Sequence, residues 1–315
     1  MALNNGPYVW FDGKFVKWED ATVHVGIHAL HYGSSVFEGI RAYETQQGTA
    51  IFQLEPHVQR MVNSCKLMRM AIPYSGAELS TAIQETVALN GQPACYIRPL
   101  IFRGMGSLDL DGRSNPNHVV IFSFAWGAYL GEEALEKGAE VMISSWRRIS
   151  PETGSPLGKI GGQYVSNSFV RMEAHEFGFD EGLLLDSNGM MSEGSGENLF
   201  AIFGNTIYTA PVGSSILAGV TRLSVLQLAR DLGYEVREQT LSRDSLYVAD
   251  ELFMTGTAAE ISPIRSVDRI QIGAGKRGPI TKALQDEFFG IVTGKMPDRH
   301  GWLTPVKLGE VASGD

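Results

Sequence analysis

Apolar positions recur along this chain in two rhythms: a period of two in short runs, and a period near 3.6 in longer ones. Residues 8–16 read as two short strands around Asp12-Gly13, a pair that favours a tight hairpin turn. Residues 35–43 read as a further strand. Val58, Met61, Val62, Cys65 and Met68 fall at helical spacing within 55–70, with Arg60 on the other face, where a solvated side chain is the simplest local reading. Residues 77–90 predict a second amphipathic helix, closed by Asn90-Gly91. Strands rich in apolar and aromatic residues follow at 94–102 and 118–124. The loop joining them, 103–117, is long and rich in Gly, Asp, Asn and Ser, which makes it suspect for function.

The second half opens with a strand at 140–145. A helix is expected at 163–177, with Val165, Phe169, Met172 and Phe177 on or near one face. Hairpins turn at Asn188-Gly189 (182–186 and 190–192) and at Gly204-Asn205 (198–203 and 206–209). Helices are predicted at 221–232 and 278–293, and strands at 236–239, 251–255 and 264–267. Many hairpins and few strand–helix–strand alternations favour a mixed, barrel-like sheet over a doubly wound one. The expected fold class is therefore mixed α+β in two domains. Residues 1–125 form a small α+β domain, 126–138 a connector, 139–304 a larger domain, and 305–315 a small, polar, loose tail.

Composition narrows the functional classes. A chain of 315 residues, 43% hydrophobic and 19% charged, is long enough for two cores and is not a disordered chain. A net charge of -9 attracts neither nucleic acid nor an anionic membrane, so a phosphate ligand needs a local pocket. Cys65 and Cys95 lie in apolar segments and are expected as buried, reduced thiols. The N-terminus lacks a secretory pattern, and no run of about 18 apolar residues is present, so the expected location is the cytoplasm.

Chemistry concentrates in Gly158-Lys159-Ile160-Gly161-Gly162-Gln163-Tyr164 and, about one hairpin later, in Glu193-Gly194-Ser195-Gly196-Glu197-Asn198. Lysine forms Schiff bases with carbonyl compounds, and flanking glycines let the backbone approach a flat ligand. Lys159 is thus the candidate anchor of pyridoxal 5'-phosphate; a surface lysine in a glycine loop is the plainer local alternative. Two turns could take a phosphate. Leu217-Ala218-Gly219-Val220-Thr221 precedes a helix, and Thr255-Gly256-Thr257-Ala258 follows a strand. His24, His28 and His31 invite a metal reading, but no Cys or acidic cluster accompanies them, and a buried turn packed against a partner or pocket is preferred. Gly273-Ala274-Gly275-Lys276 lacks the spacing of a nucleotide loop. A transaminase built on this cofactor needs a lysine, an acid at the pyridine nitrogen, a hydroxyl near the ring oxygen, a phosphate cup and a carboxylate grip. Lys159, Glu193, Tyr164, the two turns and Arg60 can fill those places.

Several stretches together resemble the branched-chain amino acid aminotransferases of the class IV, fold-type IV family. They are His28-Ala29-Leu30-His31-Tyr32-Gly33, Val36-Phe37-Glu38-Gly39-Ile40-Arg41, Tyr96-Ile97-Arg98-Pro99-Leu100, Trp126-Gly127-Ala128-Tyr129-Leu130-Gly131, residues 192–200 and residues 253–260. The resemblance implies Lys159 as Schiff-base lysine and acid/base, Glu193 at the pyridine nitrogen, and Tyr164 at the ring hydroxyl. It implies a phosphate cup of Arg60, Leu217, Gly219, Val220, Thr221, Gly256 and Thr257. Tyr96, Thr257 and Ala258 would take the α-carboxylate. Phe37, Gly39, Tyr164, Trp126, Tyr129 and a neighbouring subunit's Tyr32 would wall an apolar pocket, with Arg98 gripping the distal carboxylate of glutamate. The implied reaction moves the amino group of L-leucine, L-isoleucine or L-valine to 2-oxoglutarate, in a homodimer or hexamer. D-amino-acid or (R)-amine transamination and aminodeoxychorismate lyase chemistry share the fold. A non-catalytic anion-binding scaffold is the rival from another class, and the presence of both Lys159 and Glu193 speaks against it.

Overall fold

A computed structural model describes residues 4–127 and 133–309 of the chain. The protein divides into two compact units. The first comprises Met1–Trp126, Gly158–Gly162 and Ile291–Asp315; the second comprises Gly127–Leu157 and Gln163–Gly290. The Lys159 loop therefore belongs to the first unit, although the chain on either side of it belongs to the second.

In the first unit an antiparallel sheet runs in the order Leu303–Val306, Gly48–Phe52, Ile40–Thr45, Cys95–Arg103, Asn117–Phe124, Tyr8–Phe11, Lys14–Lys17. The first hairpin turns at Asp12 and Gly13, both at positive φ (47° and 90°), the backbone that makes the tight turn match the twist of its strands. The helices Leu54–Leu67 and Gly76–Asn90 contribute Leu54, Val58, Met61, Leu79, Ile83 and Val87 to a core shared with Ile40, Ile97, Ile101 and Ile160. Ser75 and Glu78 cap the second helix reciprocally, and Gly91 closes it at φ 62°. Cys65 and Cys95 are buried and unpaired, as expected, and burial pushes both thiols up to about 12.

Three expectations need correction in this unit. The strand foreseen at 35–43 is two strands, Ser35–Phe37 and Ile40–Thr45, both paired with Cys95–Arg103. The ladder breaks at Glu38-Gly39, opposite Pro99, which has no N–H to donate; the Pro99 carbonyl still accepts the Glu38 N–H (2.9 Å). The tail foreseen as loose from residue 305 is ordered further: Pro305 and Val306 pair with Ala50 and Thr49. Residues 28–32 form a short helix, in which His28 is buried and His31 exposed. Their rings are held locally, His28 by the Ser34 hydroxyl and the Asp109 carbonyl, His31 by the Val25 carbonyl.

The second unit closes on itself. Its strands run Met191–Gly194, Glu181–Leu185, Ala139–Arg147, Glu260–Val267, Glu251–Gly256, Asn198–Phe203, and the last pairs back with the first. Parallel pairing of Ala139–Arg147 with both neighbours makes the barrel a mixed one, in line with the expected fold class. Leu183, Leu199, Ala201, Leu252, Met254 and Ile264 belong to its core. The helix Tyr164–Glu176 buries Asn167, Val170 and Ala174, whereas Val165, Phe169, Met172 and the following Phe177 lie exposed. The sequence stripe on that helix is thus a surface stripe, with Trp146 stacked on Phe169 at 5.1 Å. Among the described residues no helix is long and apolar enough to cross a membrane.

Candidate active site

In the first unit Lys159 sits partly buried, its backbone tied down on both sides. Its N–H donates to the Ser64 hydroxyl (3.0 Å), and its carbonyl accepts the Phe37 N–H (3.1 Å). The glycines around it serve a backbone contact within the unit. The Gly162 N–H donates to the Gly33 carbonyl at 2.9 Å, and a Cβ on Gly33 would lie 2.5 Å from the Gly162 Cα. The Lys159 amine lies 4.7 Å from the centroid of the Phe37 ring. Burial is the main cause that brings this amine down to about 8; the Arg60 and Arg98 charges add to it, against Glu38 and Tyr96.

The same aromatic ring carries a second cation. The Arg98 guanidinium lies 4.9 Å from the centroid of Phe37 and 5.4 Å from that of Tyr96. Its buried Nε has no hydrogen-bond partner among the described residues, so ring faces cushion the charge in place of a hydroxyl or carbonyl. Trp126 extends the wall, 5.3 Å from Tyr96. Gly39 is required beside it, because a Cβ there would fall 1.7 Å from the Tyr96 hydroxyl. Tyr32 is 46% exposed and donates to the Leu108 carbonyl at 3.0 Å. Arg60 does not point into water from the helix face: its Nε and Nη2 each lie 2.7 Å from a Glu38 carboxylate oxygen, and it is 11% exposed. Tyr129 lies outside the described residues.

The second unit presents its own half of the predicted set. Glu193 stands at the end of a barrel strand, 4% exposed, beside the Arg148 Nε at 2.7 Å. Its other oxygen accepts from Asn198 Nδ2 (3.0 Å) and from the Leu217 N–H (2.9 Å). Asn198 also donates to the Leu217 carbonyl (2.9 Å), so one amide fixes both the acid and the turn before the helix Val220–Asp231. Gly219 caps that helix without a side chain, which leaves the first-turn amides near Val220 and Thr221 without a capping acceptor. Gly256 ends its strand where a Cβ would meet the Gly196 carbonyl at 3.3 Å, which brings the turns 194–196 and 256–258 together. The hydroxyl of Thr255, just before Thr257 and Ala258, is buried without a hydrogen-bond partner among the described residues. Tyr164 begins the helix Tyr164–Glu176 and is half-buried.

Each unit carries part of what pyridoxal phosphate requires: the first an amine brought close to neutrality, the second a carboxylate fixed in a buried setting and an uncapped twelve-residue helix start for a phosphate. Four contributors escaped the sequence reading. Glu38 is a charge inside an apolar run, and His57 stands three residues before Arg60, so a spacing signal existed for that group. Arg148 and Asn167 carry none; Arg148 donates to Asn167 (2.9 Å), which in turn donates to the Ser195 carbonyl (2.6 Å).

The depressed amine has a consequence for stability. Between about 8 and the ordinary lysine value of 10.5, the unfolded chain holds the proton that the folded one has released. The cofactor-free protein is therefore expected to gain stability as pH rises through that window, and to show no such gain from this group below it. Urea midpoints at pH 7.5 and 10 check the sign, with Lys159→Met as the reference in which this contribution is absent.

Comparison with known proteins places these features in context. The model of the family "Amino-transferase class IV" matches residues 35–267. The branched-chain-amino-acid aminotransferase of Escherichia coli strain K12 is 50% identical over 309 residues, which cover 97% of this chain and 99% of the relative. A crystal structure of an Escherichia coli branched-chain amino acid aminotransferase superposes with a TM-score of 0.94 at 49% identity, covering 95% of this chain and 99% of the other. The branched-chain amino acid aminotransferase from Thermobaculum terrenum, in its PLP-bound holo-form, gives 0.89 at 34% identity, covering 96% and 99%.

Proposed function

Since this chain belongs to the class IV aminotransferases, we propose that it moves the amino group of L-leucine, L-isoleucine or L-valine to 2-oxoglutarate, with pyridoxal 5'-phosphate as cofactor. The observation that carries the substrate choice is the Arg98 guanidinium resting on the faces of Phe37 and Tyr96. Flat apolar surface suits an aliphatic side chain, and a cation at its edge suits the second carboxylate of glutamate.

The cofactor, when bound, supplies an aldehyde for the amino group and a protonated ring that stores the electron pair released at the α-carbon. The chain's own residues would hold and serve it. Lys159 would hold the aldehyde and, as a free amine, would carry a proton at Nζ, a task suited to an amine brought down to about 8. Glu193 would keep the ring nitrogen protonated, and Tyr164 would serve the ring hydroxyl. Arg60, Leu217, Gly219, Val220, Thr221, Gly256 and Thr257 receive the phosphate. Tyr96, Thr257 and Ala258 take the α-carboxylate; Phe37, Gly39, Trp126 and Tyr129 wall the side chain. Tyr32 serves a neighbouring subunit.

Self-association, as a dimer or larger assembly, is supported by apolar surface in each unit. Val23, Val25, Leu30, Met105 and Leu110 are exposed in the first, and the Val165–Phe177 stripe in the second. Light scattering on the purified chain counts the subunits. A cytoplasmic location completes the reading, supported by the free, buried thiols of Cys65 and Cys95, which suit a reducing compartment.

The decisive assay offers a panel of L- and D-amino acids with 2-oxoglutarate and identifies the oxo acids formed. Turnover confined to D-substrates or amines would replace this reading with one of its fold relatives. Within the panel, Arg98→Ala is expected to lower kcat/KM for glutamate about a hundredfold more than for leucine, the scale of a lost charge-assisted pair. Equal losses for both would remove the discriminating role.

A further inference from the structure

Glu38 is the most deeply buried acid among the described residues of the first unit, at 0% exposure, and no role assigned above uses it. Its carboxylate is gripped from two sides: Arg60 in a two-point fork at 2.7 and 2.7 Å, and His57 Nδ1 at 2.8 Å. The Gly39 N–H adds a longer contact at 3.3 Å. A buried ion pair is seldom the cheapest way to fill space, since apolar groups of like volume often serve stability as well or better. What this one does is close a ring. The Lys159 carbonyl accepts from the Phe37 N–H; Glu38 follows Phe37 in the chain and grips Arg60. The Arg60 carbonyl accepts the Ser64 hydroxyl (2.9 Å), and that hydroxyl accepts the Lys159 N–H (3.0 Å). Strand alternation places Glu38 on the buried face, between Val36 and Ile40, both at 0% exposure.

We propose that Glu38 is a positioning residue: its buried carboxylate sets the plane of the Arg60 guanidinium for the cofactor phosphate and provides the fixed negative charge beside the Lys159 amine. This rests on the cofactor reading given above. Arg60, Glu38, Tyr96, Arg98 and His57 are among the groups that face Lys159 electrostatically, and Glu38 opposes the two arginines. For the Glu38 carboxyl itself, burial alone would raise its pKa, but Arg60 and then His57 hold it well below the carboxylate range. His57 contributes geometry more than charge, because burial pushes its ring below the ordinary histidine value and Arg60 and Lys159 press the same way against Glu38.

Glu38→Gln keeps the shape and removes the charge. In the holoenzyme it is expected to raise the cofactor dissociation constant about tenfold or more, as a charged hydrogen-bond partner of Arg60 is lost. The pH midpoint of the cofactor's visible absorbance change is expected to fall by about half a unit or more, since the neighbouring cations are then uncompensated. His57→Gln should leave that midpoint within about 0.2 units, because a neutral ring is exchanged for a neutral amide. Unchanged affinity and midpoint in Glu38→Gln would overturn the proposal, as would an equal shift in His57→Gln. Should Glu38→Gln fail to fold, Glu38→Asp keeps the charge but withdraws it from Arg60 by one methylene; a cofactor dissociation constant raised about threefold or more is expected, and parental affinity in it would overturn the proposal too. Borohydride labelling of Lys159 in the parent tests the cofactor reading separately, so the two ideas fail independently.

Discussion

Lys159→Ala is expected to lower the rate of amino transfer by at least about 10⁴-fold, because in the proposed function one side chain performs both covalent attachment and proton transfer. The variant should still fold. At pH 7 its cofactor-free form is expected to be no less stable than the parent, since the change removes a cation held in a partly buried site against Arg60 and Arg98. Loss of rate without loss of stability separates a chemical role from a structural one. A small primary amine added in excess should restore part of the rate by supplying the missing base. Borohydride trapping followed by peptide mass spectrometry reports the attachment point directly. The parent should carry the label on the peptide containing Lys159, and the variant should carry none. A label on another lysine, or none in the parent, would end the assignment.

Glu193→Ala has the second largest expected effect, and there stability and activity fall together. Arg148 is 4% exposed and faces the Glu193 carboxylate at 2.7 Å, so removing the acid leaves a buried cation without its counter-ion. Breaking a buried pair from one side costs about 3–5 kcal/mol. The other oxygen of that carboxylate accepts from Asn198 and the Leu217 N–H, so the turn before the helix Val220–Asp231 loses its anchor. The expected result is a denaturant midpoint lowered by the equivalent of that cost, with a kcat lower by at least about a hundredfold from the unprotonated ring. Glu193→Gln should recover part of the stability, since its carbonyl can still accept from Leu217, but little of the rate. If Glu193→Gln kept parental kcat, Glu193 would not be the partner of the ring nitrogen.

Much of the framework was legible in the chain because it rests on local chemistry. Asp12-Gly13, Asn188-Gly189 and Gly204-Asn205 announced their turns by the backbone they permit. The helices Leu54–Leu67 and Gly76–Asn90 followed from period and from caps. Lys159, Glu193 and the two glycine turns are weak signals one by one, each with a plainer local reading, and gained weight only taken together with the stretches that resemble the family. The errors came where a neighbour in space overrode a local signal. Ser35 to Tyr43 has the alternation of one strand, yet Pro99 on the facing strand withholds a donor and breaks it at Glu38. Arg60 lies off its helix's apolar stripe, as a solvated residue would, until Glu38 arrives to bind it. The Val165–Phe177 stripe has helical apolar spacing, yet the barrel takes Val170 and Ala174 instead.

By itself, the order of residues determined the mixed sheet architecture and the element types, and it singled out Lys159 as the candidate reactive amine, because turn backbones, periodicity and side-chain reactivity are properties of short stretches. The tertiary structure alone decided that Lys159 packs with the first unit through Gly33 and Ser64, that Arg60 and Glu38 are partners 22 residues apart, and that Arg148 and Asn198 hold Glu193. A charge buried far along the chain from its counter-charge leaves no periodic trace; only the path of the backbone brings the two within reach and makes their burial tolerable.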